Sequence, residues 1–194
     1  MKYGYLAVEG PHDLAFVGRL LKKHGLDRVK LLPALDRFWL PLIPRTYPHR
    51  DDLLKRVPVP TFFASQTHSV AVDVVEGDSG FGRSIKDSLD MLYAGSSPPL
   101  TGLGIVLDAD STISVAQRVT TLNGVLGGTT FPFPLAFPGQ AGLVSGAPLH
   151  PGIFVLPDNQ GQGAVVAIPA RGRDRRLPGL ALRARMRSEQ TRGG

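Results

Sequence analysis

Four apolar runs end on acidic residues: Glu9 after YLAV, Glu76 after VDVV, Asp108 after GIVL and Asp158 after FVLP. In an open parallel α/β sheet, ligands bind in the crevice beyond the carboxyl ends of the strands, so side chains far apart in sequence can converge there. Carboxylates crowded at one edge repel unless a cation neutralises them, and hard oxygen ligands suit magnesium or manganese. Turn chemistry at a strand end explains any one such acid equally well. Four coincident endings weaken that simpler account.

The sharpest pair is Asp108 and Asp110 in GIVLDADST. Alternation across a strand end puts both carboxylates on similar sides, a spacing that allows shared metal coordination. The competing role is a helix cap, with Asp110 or Ser111 heading the next helix. Asp13 stands four residues after Glu9 and, if a helix begins at Pro11, lies near the same mouth. A first-turn carboxylate is also favoured simply by the helix dipole. Gly10 supplies the turn between Glu9 and that helix, and Asp78 and Asn159 are further polar residues beside Glu76 and Asp158.

The elements that must position these residues follow from the hydrophobic pattern. KYGYLAV reads as a buried strand, and Leu14, Phe16, Val17, Leu20 and Leu21 recur at helical spacing between Pro11 and Gly25. A second strand is expected near Val29 to Leu32, completing a βαβ start. Six prolines between residues 31 and 60 argue against long regular elements there. SVAVDVV predicts a strand, Ser84 to Tyr93 a helix, GLGIVL a strand, Ser111 to Leu126 a helix, and GIFVL a last strand after a Gly/Pro/Phe-rich loop. Repeated strand, acidic turn and helix predict an α/β fold with a mostly parallel sheet flanked by helices.

The chain has 194 residues and a formal charge of +6, but the excess is local. From Pro169 to Gly194 there are eight arginines against Asp174 and Glu189, whereas residues 1–168 carry 14 basic and 14 acidic side chains. The body is neutral, so its charge does not mark a nucleic-acid-binding face. Residues 1–168 are expected to form one domain and 169–194 a basic tail that does not pack into the core. No apolar stretch is long enough for a membrane span, and the first residues do not form a secretory signal. With no cysteine, disulfides, zinc-thiolate sites and cysteine catalysis are excluded, and a cytoplasmic location is expected.

VEGPHD after one apolar strand and LDAD after a later one resemble the Toprim fold of topoisomerases, primases and nucleases of the OLD (overcoming lysogenisation defect) group. GIFVLPDNQGQG resembles the corresponding segment of a small uncharacterised Toprim-like family of prokaryotes. With FWLPLIP and RVPVP, the resemblance covers about residues 3 to 163. It implies a Toprim-like, Rossmann-like fold, with Glu9 as general acid or base, Asp108 and Asp110 as magnesium or manganese ligands, and Asp13 and Asp158 as secondary acids. DNA or RNA is the implied partner, through metal-dependent phosphodiester chemistry. The family continues Gly-x-Leu-Glu into a helix, whereas this chain reads Gly163, Ala164, Val165, Val166. A shift of reading frame in a GC-rich gene would produce such a switch into an Arg-rich tail; the competing interpretation is a true nucleic-acid-binding arm.

Three rivals are weighed. LDADST fits the nucleophile motif of haloacid-dehalogenase-like phosphatases, but that chemistry needs a downstream lysine, and the last lysine is Lys86. A nucleotide-sugar transferase would leave Glu9 and Gly10 unexplained. A non-catalytic Toprim-like module that binds metal or nucleotide accommodates the neutral body and the missing carboxylate. The five histidines show no ligand spacing, Phe38 and Trp39 read as local core, and no Walker loop is present.

Overall fold

A computed structural model describes residues 1–44, 59–75, 77–94, 100–109, 112–146 and 149–160. The expected domain boundary at residue 168 and the Arg-rich tail lie outside the described residues. Six strands form one sheet in the order β2-β3-β4-β1-β5-β6. Its core is parallel: β1 (Lys2–Val8) lies between β4 (His68–Val74) and β5 (Gly102–Asp108), and β6 (Pro151–Leu156) extends the sheet beyond β5. The short strands β2 (Asp27–Arg28) and β3 (Thr61–Ala64) close the other edge in antiparallel pairing. The fold is therefore a mixed α/β, Rossmann-like arrangement with helices on both faces.

Alternation along β1 sorts its side chains. Tyr3, Tyr5 and Ala7 enter the larger core with α2 (Asp78–Tyr93) and α3 (Val115–Gly127), while Val8 enters a smaller core under α1 (Pro11–Lys23). Phe81, Ile85 and Leu89 make one stripe on α2, and Val119, Leu122 and Leu126 make another on α3. Val17 of α1 meets Phe63, Val72, Val106 and Leu156 on the opposite face. Trp39 is fully buried among Tyr3, Phe38 and Phe62, as the reading of local core expected. Glycine matters where backbones close in: a Cβ on Gly104 would stand 2.5 Å from Leu6 Cδ2 on the neighbouring strand.

Several expected boundaries shift for physical reasons. No parallel strand forms at Val29 to Leu32. The chain pairs instead over Asp27 and Arg28, antiparallel to β3, and the parallel neighbour of β1 on that side is β4. Leu32 begins a 3-10 turn led by Pro33, whose missing N–H suits a helical start and not a ladder. Helix α2 starts six residues before the expected Ser84, headed by Gly77 at φ +69°. Helix α3 starts after the expected Ser111, because Ser114 and Gln117 form a reciprocal capping box that takes the cap from Asp110 and Ser111.

The polar atoms of Trp39 and Tyr5, deep in the larger core, are paired. Trp39 Nε1 donates to Ser69 Oγ at 2.8 Å, and Tyr5 Oη bridges Asp73 and Ser88 at 2.8 and 3.0 Å. Burial, with the Asp73 charge beside it, drives the Tyr5 phenol far above the ordinary tyrosine range, so it serves as a neutral hydrogen-bonding group. Replacing Ser69 by Ala leaves the buried indole N–H without its acceptor. That change is expected to lower the unfolding free energy by about 1–3 kcal/mol, read as a lower urea midpoint at unchanged slope. An unchanged midpoint would show that the indole N–H finds another acceptor.

Candidate functional site

The site lies where the helices that follow two neighbouring parallel strands depart to opposite faces. Helix α1 follows β1 onto one face of the sheet, and α3 follows β5 onto the other. Such a switch point leaves an open crevice at the carboxyl edge. Val8 is level with Val106, so Glu9 follows at the level of Leu107, with Asp108 one residue further along the neighbouring strand. Glu9 N donates to Val106 O at 3.2 Å, and Asp108 N donates to Glu9 Oε2 at 3.3 Å. The two strand ends are thus fastened through the Glu9 carboxylate itself.

Each flanking helix adds one residue. From α1, Asp13 turns inward, is 3% exposed, and accepts from Gly10 N at 2.9 Å. It therefore does what a first-turn carboxylate does, with Gly10 as the turn before it, and it also faces Asp108. From α3, Arg118 Nη2 donates to Glu9 Oε2 at 2.7 Å; its side chain is 8% exposed and that of Glu9 is 31% exposed. The sequence reading passed over Arg118. Its signal is that it carries the only charge in VAQRVTTLNGVLG, a helix whose inward face is otherwise apolar. A buried guanidinium needs a carboxylate, and Glu9 supplies it.

Electrostatics make the group strained for protons. Burial pushes the Asp13 carboxyl up to about 6; the negative charges of Asp108 and Glu9 add to the rise, and the Gly10 N–H opposes it. A protonated Asp13 can donate to Asp108. Oδ1 of Asp108 is buried and has no hydrogen-bond partner among the described residues. An acceptor-only oxygen left bare beside a second carboxyl is suited to a cation or a proton.

The other expected site residues distribute as follows. Asp110, second of the acidic pair, and Glu76 lie outside the described residues, as does the side chain of Asp78. Asp158 follows β6, one strand beyond Asp108, and its exposed carboxylate accepts from Gln160 N at 2.9 Å. Asn159 folds back on its own strand, with Oδ1 accepting from Val155 N at 2.8 Å, and its φ of +66° is one that asparagine tolerates. It is thereby a structural residue at that turn. Among the described residues, no three His, Asp or Glu side chains form a ready metal-ligand group. Glu9, Asp13 and Asp108 are the acids brought together.

Residues 3–167 match the family model described as "Protein of unknown function (DUF3226)". The chain belongs to the DUF3226 family. The match includes every element around the site and stops before the Arg-rich stretch. No curated protein matches the chain. A crystal structure of a hypothetical protein from Pyrococcus horikoshii OT3 is similar at 20% identity and a TM-score of 0.43, over 64% of this chain and 47% of that one. The chain thus spans under half the length of that protein, and the likeness carries no functional argument. Among the described residues of this family member, no helix is long and apolar enough to cross a membrane.

The Asp13 environment gives a stability prediction with a definite sign. The folded state holds the Asp13 proton up to about pH 6, above the unfolded value of 3.8, so this residue's contribution is best below pH 3.8 and is lost as pH rises through 6. Asp13→Asn copies the protonated acid at every pH. In a metal chelator it is expected to raise stability by about 1–3 kcal/mol at pH 8 and to change it little at pH 4, given about 1.4 kcal/mol per pKa unit. Denaturation curves at both pH values check this; a variant less stable than the parent at pH 8 would refute the raised affinity for protons.

Proposed function

We propose that this protein is a Toprim-like, metal-dependent enzyme acting on phosphodiester bonds of nucleic acid, with nuclease-like chemistry. The observation that carries the reading is the meeting of Glu9, Asp13 and Asp108 at the switch-point crevice, where Asp108 Oδ1 is buried with no hydrogen-bond partner among the described residues. The acids here offer carboxylate oxygens, the ligand type that a hard divalent cation takes; the described residues form no three-ligand group by themselves, so Asp110 would have to complete the set. Asp108 would hold magnesium or manganese, with Asp110 as its partner and Asp13 or Asp158 as further acids. Bound there, the ion would supply neutralisation of charge on a phosphodiester.

The chain's own groups then have separable tasks. Glu9 moves a proton to or from the attacking or leaving oxygen. Arg118 and the Asp108 N–H position it through Oε2. Asp13 holds a proton beside Asp108. Gly10, the turn residue, holds the Asp13 carboxyl in place through its N–H. The absence of cysteine suits a reducing compartment, and we assign the protein to the cytoplasm. A second reading, a module that binds metal or nucleotide without turnover, is favoured by the Arg118–Glu9 ion pair, which occupies an oxygen that a general base would use.

Cleavage of single- and double-stranded DNA and RNA with magnesium or manganese tests the proposal. Asp108→Asn is expected to reduce turnover to background, and Glu9→Gln to lower it by about 10²–10⁴-fold, both with parental circular dichroism. Equal rates in parent and Asp108→Asn would assign the cleavage to a contaminant. No cleavage by any preparation would favour the non-catalytic module. Hydrolysis of a phosphate monoester that survives Glu9→Gln but not Asp108→Asn would favour the phosphatase chemistry of the LDADST motif.

A further inference from the structure

A cleft of about 570 Å³ opens beside the site, between α1 and the antiparallel edge of the sheet. One end is marked by Pro11, the residue after Gly10. Its walls carry Arg19 and Lys22 from α1, and Arg28 and Lys30 from the edge strand and the residues after it, against a single acid, Asp27. Arg19 and Lys22 are one turn apart on the helix, and Arg28 and Lys30 are alternate residues of extended chain. All four cationic residues are exposed, and neither ion pair among the described residues involves them. In a body whose charges balance, four cations gathered in one cleft are a segregated positive surface, which attracts polyanions.

We infer that this cleft binds the phosphate backbone of a nucleic-acid strand and leads it to the Glu9–Asp108 crevice. The inference rests on the nucleic-acid reading above and names where the substrate lies. Length favours a strand over a single nucleotide: from Pro11 to Lys22 the helix advances about 16 Å at 1.5 Å per residue. At about 3.4 Å per charge along one strand of a duplex, that span has room for four or five phosphates. The floor favours backbone over base recognition. Phe63 lines the cleft but is 6% exposed, too covered to stack on a base. Binding is therefore expected to be insensitive to sequence and sensitive to salt.

The test uses the full chain in a chelator, so that no turnover is required. Fluorescence anisotropy of a labelled oligonucleotide of mixed sequence is followed as salt rises. Arg19→Gln/Lys22→Gln and Arg28→Gln/Lys30→Gln are each expected to weaken binding by about tenfold or more at low salt and to flatten the log–log salt slope by about 1.4, two phosphate contacts at 0.7 each. The charge-matched pair Lys2→Gln/Arg37→Gln, away from the cleft, is expected to change neither beyond its small effect on net charge. A second measurement separates the cleft from the Arg-rich tail. Bound oligonucleotide is expected to protect Lys22 and Lys30, but not Lys2, from an amine-acetylating reagent read by mass spectrometry.

Unprotected Lys22 and Lys30 in a saturated complex would overturn the inference even if Asp108→Asn abolished cleavage. Equal protection by a mononucleotide or inorganic phosphate, with no gain in affinity on lengthening the strand, would also overturn it in favour of a small phosphorylated ligand. Protection and loss of binding in the two cleft variants would support it even if no cleavage were found, in which case only the catalytic reading would fail.

Discussion

The pairing of β1 with β5 is the constraint on which the site depends. Val8 pairs with Val106, and within two residues beyond that level one strand ends on Glu9 and the other on Asp108. Left alone, Glu9 and Asp108 would repel, and with Asp13 buried beside them the edge would be costly to assemble. Three features offset that cost: the Asp108 N–H on Glu9, the Arg118 guanidinium on the same oxygen, and a proton retained by Asp13. The crevice is therefore built from compensated charge, and each compensation involves a group that could be exchanged for substrate or cation.

Charge and packing are divided between the two faces. The larger core, with α2, α3 and the aromatic group around Trp39, packs against one face of the sheet. The smaller core under α1 holds a helix that has Asp13 at one end and the basic cleft along its flank. One helix thus borders both the acidic crevice and the cationic wall. Local propensity agrees with this arrangement, since Pro11 starts the helix directly after the turn at Gly10, and Lys22 and Lys23 suit its carboxyl end.

Much of this was legible in the sequence, for identifiable reasons. The parallel strands announce themselves as continuous apolar runs because both faces are buried. Acids at their ends were visible as punctuation, and Glu9, Asp13 and Asp108 do converge. The short edge strands were not legible: two residues at Asp27 and four at Thr61 carry no period, and their pairing is set by tertiary contact. The start of α3 was missed because two polar segments compete to cap it, and Ser114 prevails through its partner Gln117. Arg118 was missed because a single arginine in a helix is ordinarily solvent-facing, and only the fold reveals the carboxylate opposite it.

The position of β1 has a consequence for how the protein is made. Strand β1 is made before both of the strands that flank it, and it cannot be flanked on both sides until β5 has been synthesised. Glu9 and Asp13 emerge early, whereas Arg118 is 109 residues further from Glu9 along the chain, about 5–20 s later at 5–20 residues per second. During that interval the acids have neither the guanidinium nor the neighbouring strand that fixes them, and the apolar face of α1 has only part of its seat. The nascent chain must therefore pass through a stage with an uncovered sheet edge and an unbalanced acidic turn, a stage at which chaperone capture would bear most strongly on yield.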